Sequence, residues 1–303
     1  AARERGSDHH LGDGGFFQVC PCKTIAVTGS DGKTTTTTII AELLKAAGQS
    51  VYVGGNIGKP LLPDVDGMVP EDVAVLELSS FQLMTMEQSP DIAVVTNLAP
   101  NHLDVHKSME EYIAAKENIF THQGADGLLV LNQDNEITRG FAVSARGRVT
   151  PVQPPGGAGA GVFVRDGAIW MRNAMHERPV LYLENILLAR RATNHREITG
   201  RPSAPWTAGA RPGGAGLRRQ ICGVEHRIEL VRTRNGVRYY NDSIASQPLP
   251  HHAGLRSFHQ KVVLIAGGYD KHIPFDVLGP GSGGATSRHW VLTGRYRAQA
   301  APR

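Results

Sequence analysis

The stretch Ile25-Ala-Val-Thr-Gly-Ser-Asp-Gly-Lys-Thr-Thr-Thr-Thr-Thr-Ile-Ile40 constrains the fold more than any other part of the chain. Ile25 to Val27 are apolar and largely β-branched, the composition of a buried strand. Thr28-Gly-Ser-Asp-Gly32 is a tight turn. Lys33-Thr34 then opens a helix with Ile39, Ile40, Leu43 and Leu44 on its apolar face and Gly48 as its stop. Strand, glycine turn, Lys-Thr and helix together describe a cradle for phosphate, because the backbone N–H groups of the turn and of the helix N-terminus point at one anion. Lys33 adds a mobile positive charge, and the Thr34 hydroxyl is placed to ligate Mg²⁺. The usual G-x-x-x-x-G-K-[ST] pattern is not met, since Val27 stands at its first glycine; the loop is a shorter variant built on Gly29 and Gly32. The alternative is an ordinary β-turn followed by a surface lysine. The Lys-Thr pair at the joint favours nucleotide binding.

At 303 residues the chain has room for two domains, each able to bury a core. It has no apolar run of about 18 residues, so no membrane-spanning helix is expected. Its first ten residues carry no apolar signal core, and the expected location is cytoplasmic. Three cysteines are too few for a disulfide framework, and Cys20-Pro-Cys22 lacks C-x-x-C spacing. The net charge of +4 does not point to nucleic acid, because the arginines cluster in late irregular segments without interleaved aromatics.

Residues 1–19 read as a loose polar lead-in. Val51-Tyr-Val53 is a short strand running into the turn Gly54-Gly-Asn-Ile-Gly58. In open α/β sheets ligands collect at the carboxyl ends of strands, which makes Asn56 a phosphate or substrate candidate; an asparagine in a left-handed turn is the alternative. Val73-Ala-Val-Leu-Glu-Leu78 is a nearly continuous apolar run, as expected of a strand buried on both faces. Glu77 inside it is costly unless paired. It is either a salt-bridged glutamate or a metal ligand facing nucleotide phosphates. Asp91-Ile-Ala-Val-Val-Thr-Asn97 repeats the design and leads to His102 and Asp104, which suit a metal ligand with an orienting carboxylate. Ser108-Met-Glu-Glu111 has capping-box spacing for a helix bearing Tyr112, Ile113, Ile119 and Phe120. From spacing alone, Lys116 on that helix is solvated. Gly127 to Asn132 is another buried strand, Pro151 to Gly161 a loop, and Gly161 to Met171 a hairpin turning at Asp166-Gly167. Periodicity fails over 189–220, returns at Gly223, and fails again after Leu278 apart from Trp290-Val-Leu-Thr293.

In order along the chain, Thr28-Gly-Ser-Asp-Gly-Lys-Thr-Thr35, Gly54-Gly-Asn-Ile-Gly58, Glu77-Leu-Ser-Ser-Phe-Gln-Leu83, Asn97-Leu-Ala-Pro-Asn-His-Leu-Asp104, Gly223-Val-Glu-His-Arg227, Asn241-Asp-Ser243 and Ala266-Gly-Gly-Tyr-Asp-Lys271 resemble the Mur ligases and the related folylpolyglutamate synthases. The Glu-Leu-Ser-Ser-Phe-Gln form is similar to the D-glutamate-adding Mur ligases. The resemblance runs over about residues 16–188 and 221–278. It implies a mostly parallel P-loop-type α/β sheet with flanking helices, followed by a partial Rossmann-like α/β domain. The expected division is a lead-in over 1–23, an ATP-binding domain over 24–222 and a partial C-terminal domain over 223–303. It also implies ATP-driven amide formation through an acyl phosphate, with UDP-N-acetylmuramoyl-L-alanine and D-glutamate as substrates and Mg²⁺, or Mn²⁺, as the metal.

By the same resemblance Gly29, Ser30, Asp31, Gly32, Lys33, Thr34 and Thr35 bind phosphate. Thr34, Glu77 and His102 bind magnesium, and Asn56, Ser79 and Gln82 face the acyl phosphate. Lys116 matches a lysine that the family carbamylates and that helps hold a second magnesium. Arg227 and Asp242 reach the nucleotide, and Ser246 and Lys271 lie on the D-glutamate side. There are departures. The uridine-nucleotide domain and the end of the C-terminal domain are expected to be absent. Ile244 and Asn101 stand where many relatives have Lys and Asp, and no His-Asn helix motif is recognisable near Asn194-His195. The Arg/Gly/Ala/Pro-rich stretches 189–220 and 279–303, with about 3–15, read as coding DNA in a shifted frame or as natural loops. A nucleotide-binding piece without ligase activity, another Mur ligase or a folylpolyglutamate synthase are the alternative readings.

Overall fold

A computed structural model of the protein describes residues 14–100, 105–153, 159–166, 168–182, 228–243, 262–267 and 287–293. A nine-stranded sheet in the order β2-β3-β1-β4-β5-β6-β7-β8-β9 organises the first part of the chain. Its strands are β1 Lys23–Thr28, β2 Val51–Gly55, β3 Val73–Glu77, β4 Ile92–Val95, β5 Leu128–Asn132, β6 Arg148–Val152, β7 Gly161–Arg165, β8 Ala168–Arg172 and β9 Glu177–Tyr182. Pairing is parallel from β2 across to β7 and antiparallel through β7, β8 and β9. The expected mostly parallel sheet with flanking helices is therefore present.

The continuous apolar runs of the central strands follow from burial on both faces. Ile25 and Val27 of β1, Val73 and Val75 of β3, and Val94 and Val130 pack with Ile40 and Leu44 of helix α2, Lys33–Ala46. The alternate residues Ala26, Ala74, Leu76, Ala93 and Leu129 face the other way. They meet Tyr112, Ile119 and Phe120 of α4, Met109–Thr121, and Leu83 of the one-turn α3, Ser80–Leu83. A short α5, Glu136–Gly140, follows β5. Helix α2 ends where Gly48 takes a left-handed φ of 85° and its N–H reaches Lys45 O.

Several sequence expectations need correction. The lead-in is not loose to residue 19: residues 14–19 form a helical segment, α1, and Phe16 is fully buried in the same core as Leu76, Met86 and Phe120. Deleting a buried aromatic removes transfer energy and leaves a cavity, so Phe16→Ala should cost about 3–5 kcal/mol in a denaturant titration. An unchanged midpoint would detach α1 from the core. Gly54 and Gly55 belong to β2, opposite Leu76 and Glu77, and are not a turn beyond it. The loop expected from Pro151 begins later, because Pro151 and Val152 pair with Leu131 and Asn132. A proline is tolerated in β6 because β6 pairs with β7 only at Val152 and Val162, which leaves Pro151 at an edge on that side. The hairpin at Asp166 is as expected, with Arg165 opposite Ala168.

Two smaller sheets lie further on: the antiparallel pair β10 Glu229–Arg234 with β11 Val237–Asn241, and the parallel pair β12 Val262–Gly267 with β13 Ser287–Thr293. The strand at β13 is longer than Trp290–Thr293, so the aperiodic 279–303 stretch contains a paired strand. The 189–220 stretch lies outside the described residues.

Candidate functional site

β1 sits between β3 and β4, and the strand order reverses around it. The carboxyl ends of these three strands therefore meet at one crevice, the position where open α/β sheets take ligands. β1 supplies the turn 29–32, β3 supplies Glu77, and β4 supplies Thr96 and Asn97.

The turn is held from below. Gly29 has φ 146°, and a Cβ there would lie 2.0 Å from Thr96 Oγ1 and 3.0 Å from Asn97 O. No side chain fits. Gly32, at φ 79°, occupies the N-cap of α2 with no side-chain cap, so the first helical N–H groups stay open towards the crevice. Thr96 Oγ1 donates to Asp31 O at 2.5 Å. Asn97 accepts Asp31 N–H at 2.9 Å through Oδ1 and donates to Asp31 Oδ2 at 3.3 Å. Ser30 Oγ is tied to Ala99 and to Tyr112 Oη. Lys33 curls over the turn and donates to Gly29 O at 3.0 Å and Ser30 O at 3.1 Å. Thr34 is partly exposed at the helix start. Thr35 is buried, and its hydroxyl has no hydrogen-bond partner.

Glu77 is 1% exposed. Its Oε1 accepts from Asn56 Nδ2 at 2.8 Å, and Asn56 N–H donates to Glu77 O at 2.7 Å. Asn56 is thus not a left-handed turn asparagine; it orients the carboxylate. Glu77 Oε2 is buried with no hydrogen-bond partner. A salt bridge, the bland alternative for this residue, is not formed among the described residues. An orphaned carboxylate oxygen in an apolar sheet is costly, and a hard cation would satisfy it. Among the described residues no three His, Cys, Asp or Glu side chains cluster as a metal cage. Mg²⁺ takes only one or two protein oxygens and completes its shell with phosphate and water, and Glu77 Oε2 could supply one of them.

Lys116 overturns the expectation from spacing. It is 1% exposed and donates to Thr28 Oγ1 at 2.8 Å and Gly29 O at 3.2 Å, with its ammonium 5.5 Å from the Tyr112 ring centre. Burial, reinforced by the Lys33 charge and opposed by Glu77, holds its pKa well below the ordinary lysine value. Helical spacing could not reveal this, because the face of α4 that Lys116 occupies abuts the end of β1 rather than solvent.

Ser79 and Gln82 satisfy each other. Ser79 N–H and Oγ donate to Gln82 Oε1 at 2.8 and 2.7 Å, and Ser79 Oγ accepts Gln82 N–H at 3.3 Å. This capping box builds α3 directly after Glu77. Asp242 accepts the Ile228 N–H at 3.0 Å at the mouth of the β10–β11 hairpin. His102, Asp104, Arg227, Ser246 and Lys271 lie outside the described residues. The sequence reading does not single out Thr28, Thr96, Asn97 or Tyr112 as site residues. The signals for them are a polar pair at the end of an apolar strand, and a tyrosine one helical turn before Lys116.

The central sheet, the uncapped glycine turn and the Lys-Thr helix start define an α/β protein of P-loop type. Residues 27–152 match the Mur ligase middle domain. Two curated relatives are named UDP-N-acetylmuramoylalanine–D-glutamate ligase. That of Acetivibrio thermocellus is 49% identical over 280 residues, covering 92% of this chain and 60% of the relative. That of Symbiobacterium thermophilum is 48% identical over 284 residues, covering 92% and 62%. The chain spans about three fifths of the length of these relatives. Among solved structures, MurF from Acinetobacter baumannii superposes with a TM-score of 0.73 at 17% identity, covering 97% of this chain and 67% of that one. A bifunctional folylpolyglutamate synthase/dihydrofolate synthase with Mn, AMPPNP and L-glutamate bound gives 0.64 at 15%, covering 93% and 78%. At such identities the likeness is one of fold. No helix among the described residues is long and apolar enough to cross a membrane.

Proposed function

We propose that the chain carries the nucleotide site of a cytoplasmic ATP-dependent ligase that joins D-glutamate to UDP-N-acetylmuramoyl-L-alanine. The observation that carries this reading is the convergence on one uncapped helix start of Lys33, a buried low-pKa Lys116 and a buried Glu77 with an unpartnered oxygen. The relatives' name supplies the substrates. Amide formation needs the carboxylate of one substrate activated: its oxygen attacks the γ-phosphorus and ADP leaves. The D-glutamate amine then attacks the acyl carbon, phosphate leaves, and the nitrogen loses a proton. The turn 29–32 and the first N–H groups of α2 hold the phosphates. Lys33 exchanges its loop carbonyls for phosphate oxygens, which aligns the displacement and offsets charge. Thr34, Glu77 and His102 hold Mg²⁺ or Mn²⁺, which when bound supplies charge neutralisation on the phosphates.

Lys116 is suited to carbamylation because burial and the Lys33 charge lower its pKa, which favours the neutral amine that the reaction needs. The Nζ lone pair bonds to the carbon of CO₂ and a proton leaves, giving an anion beside the metal site. Ser79 and Gln82 shape the turn next to Glu77, and Asn56 fixes the carboxylate. Arg227 and Asp242 approach the nucleotide from a separate domain over 223–303, following an ATP-binding domain over 24–222; Ser246 and Lys271 serve D-glutamate.

Calorimetry with ATP tests the metal assignment. Binding should require Mg²⁺ or Mn²⁺ and vanish with chelator. Glu77→Gln, which keeps the Asn56 contact but loses the charge, should weaken metal-dependent binding by at least about tenfold. Equal ATP affinity with and without chelator would sink the metal site. Ligation of D-glutamate, assayed on the same protein, separates a working ligase from a chain that only binds nucleotide.

A further inference from the structure

Helix α4 grips the phosphate turn at two consecutive residues. Lys116 holds Gly29 O, and Tyr112, one turn earlier on the same face, holds Ser30. The directions of the Ser30 hydrogen bonds are fixed by counting. A serine hydroxyl has one proton and two acceptor sites. Ala99 N–H donates to Ser30 Oγ at 2.9 Å, and Ser30 Oγ donates its proton to Ala99 O at 2.9 Å. The remaining partner, Tyr112 Oη at 3.0 Å, must therefore donate. Every site on Ser30 Oγ is then used, and none is left for a phosphate.

Tyr112 is built to stay a donor. It is 1% exposed, and burial pushes its phenol up to about 12. Its ring is set by His106, edge-on at 5.2 Å, and His106 in turn stacks on Phe81 of α3 at 5.1 Å and bonds Ser80 Oγ at 2.9 Å. The phenol thus has a rigid base on both helices beside the crevice. Ala99, the other partner of Ser30, lies two residues beyond Asn97 in the segment that follows β4.

We propose that Tyr112 is a positioning residue for nucleotide binding: through Ser30 it holds the turn 29–32 in its phosphate-receiving shape. The assignment rests on the nucleotide-site reading above.

The test is a double-mutant cycle read by ATP calorimetry in Mg²⁺ and by melting of the nucleotide-free protein. Tyr112→Phe removes one hydroxyl and keeps the ring. It should bind ATP roughly five- to tenfold more weakly, the worth of one buried hydrogen bond. Its nucleotide-free melting temperature should stay within about 3 °C of the parent. Ser30→Ala should lose at least as much affinity. The double variant should be no weaker than Ser30→Ala alone, because the two groups act as one unit. Parental affinity in Tyr112→Phe, or losses that add in the double variant, overturn the proposal. If Tyr112→Phe does not fold, Ser30→Ala with unchanged ATP affinity overturns it equally. A parent that binds no ATP removes the nucleotide-site reading itself, a result distinct from a parent that binds and a Tyr112→Phe that binds equally well.

Discussion

Lys33→Ala should abolish measurable ATP binding, with affinity falling by at least about a hundredfold, while the fold persists. A charged hydrogen bond to phosphate is worth about 1.5–3 kcal/mol, and the lost charge adds a Coulomb contribution in a partly desolvated crevice. The stability cost is small because Lys33 is half-buried and donates only to the loop carbonyls of Gly29 and Ser30. Gly29 O keeps Lys116 as a donor, and Thr96 and Asn97 continue to hold Asp31. Denaturation should therefore shift by no more than about 1 kcal/mol. Calorimetry on the variant decides the matter: ATP bound as tightly as by the parent would show that the turn 29–32 is not a phosphate loop.

Lys116→Met should separate stability from function. Methionine fills a similar volume without a charge to desolvate. Neither hydrogen-bond partner is orphaned, since Thr28 Oγ1 donates to Leu78 O at 2.7 Å and Gly29 O retains Lys33. The variant should melt higher than the parent at neutral pH and, on the proposed ligase function, lose D-glutamate ligation, the trade-off expected of a group kept for chemistry. The pH dependence follows from the depressed pKa. Between the folded-state pKa of Lys116 and the unfolded value near 10.4, the unfolded chain binds the proton and the folded one does not, so stability rises with pH across that window. The parent should gain stability relative to Lys116→Met as the pH rises towards about 10, so the difference between the two should shrink. A variant less stable than the parent at neutral pH would show that Lys116 is a structural cation rather than a strained amine.

Local order makes much of this fold legible in the sequence. Alternation between two packed faces makes β1, β3, β4 and β5 read as unbroken apolar runs, and β1 leads into the glycine turn and Lys-Thr of α2. The Ser108-x-x-Glu111 spacing announced the cap of α4, where Ser108 Oγ accepts the Glu111 N–H. These features depend on neighbours within a few residues, which is the range over which periodicity and turn chemistry act. Glu77 was also conspicuous, because a carboxylate in an apolar strand conflicts with its surroundings.

What the tertiary structure alone decided is which groups meet across long separations. Asn56 lies 21 residues from Glu77, Asp31 lies 66 from Asn97, and Lys116 lies 88 from Thr28. The strand order β3-β1-β4 brings them together, and no local pattern encodes that order. Phe16 and Lys116 were misread from spacing for the same reason. One sits in a polar leader and the other on an amphipathic helix, and only the packing of α1 and α4 on the sheet buries them. Residue type and local spacing determined the strands, the turn and the chemistry available at Lys33 and Glu77. The burial and lowered pKa of Lys116 and the locking of Ser30 by Tyr112 arise from desolvation and hydrogen-bond counting, which exist only once distant segments have packed.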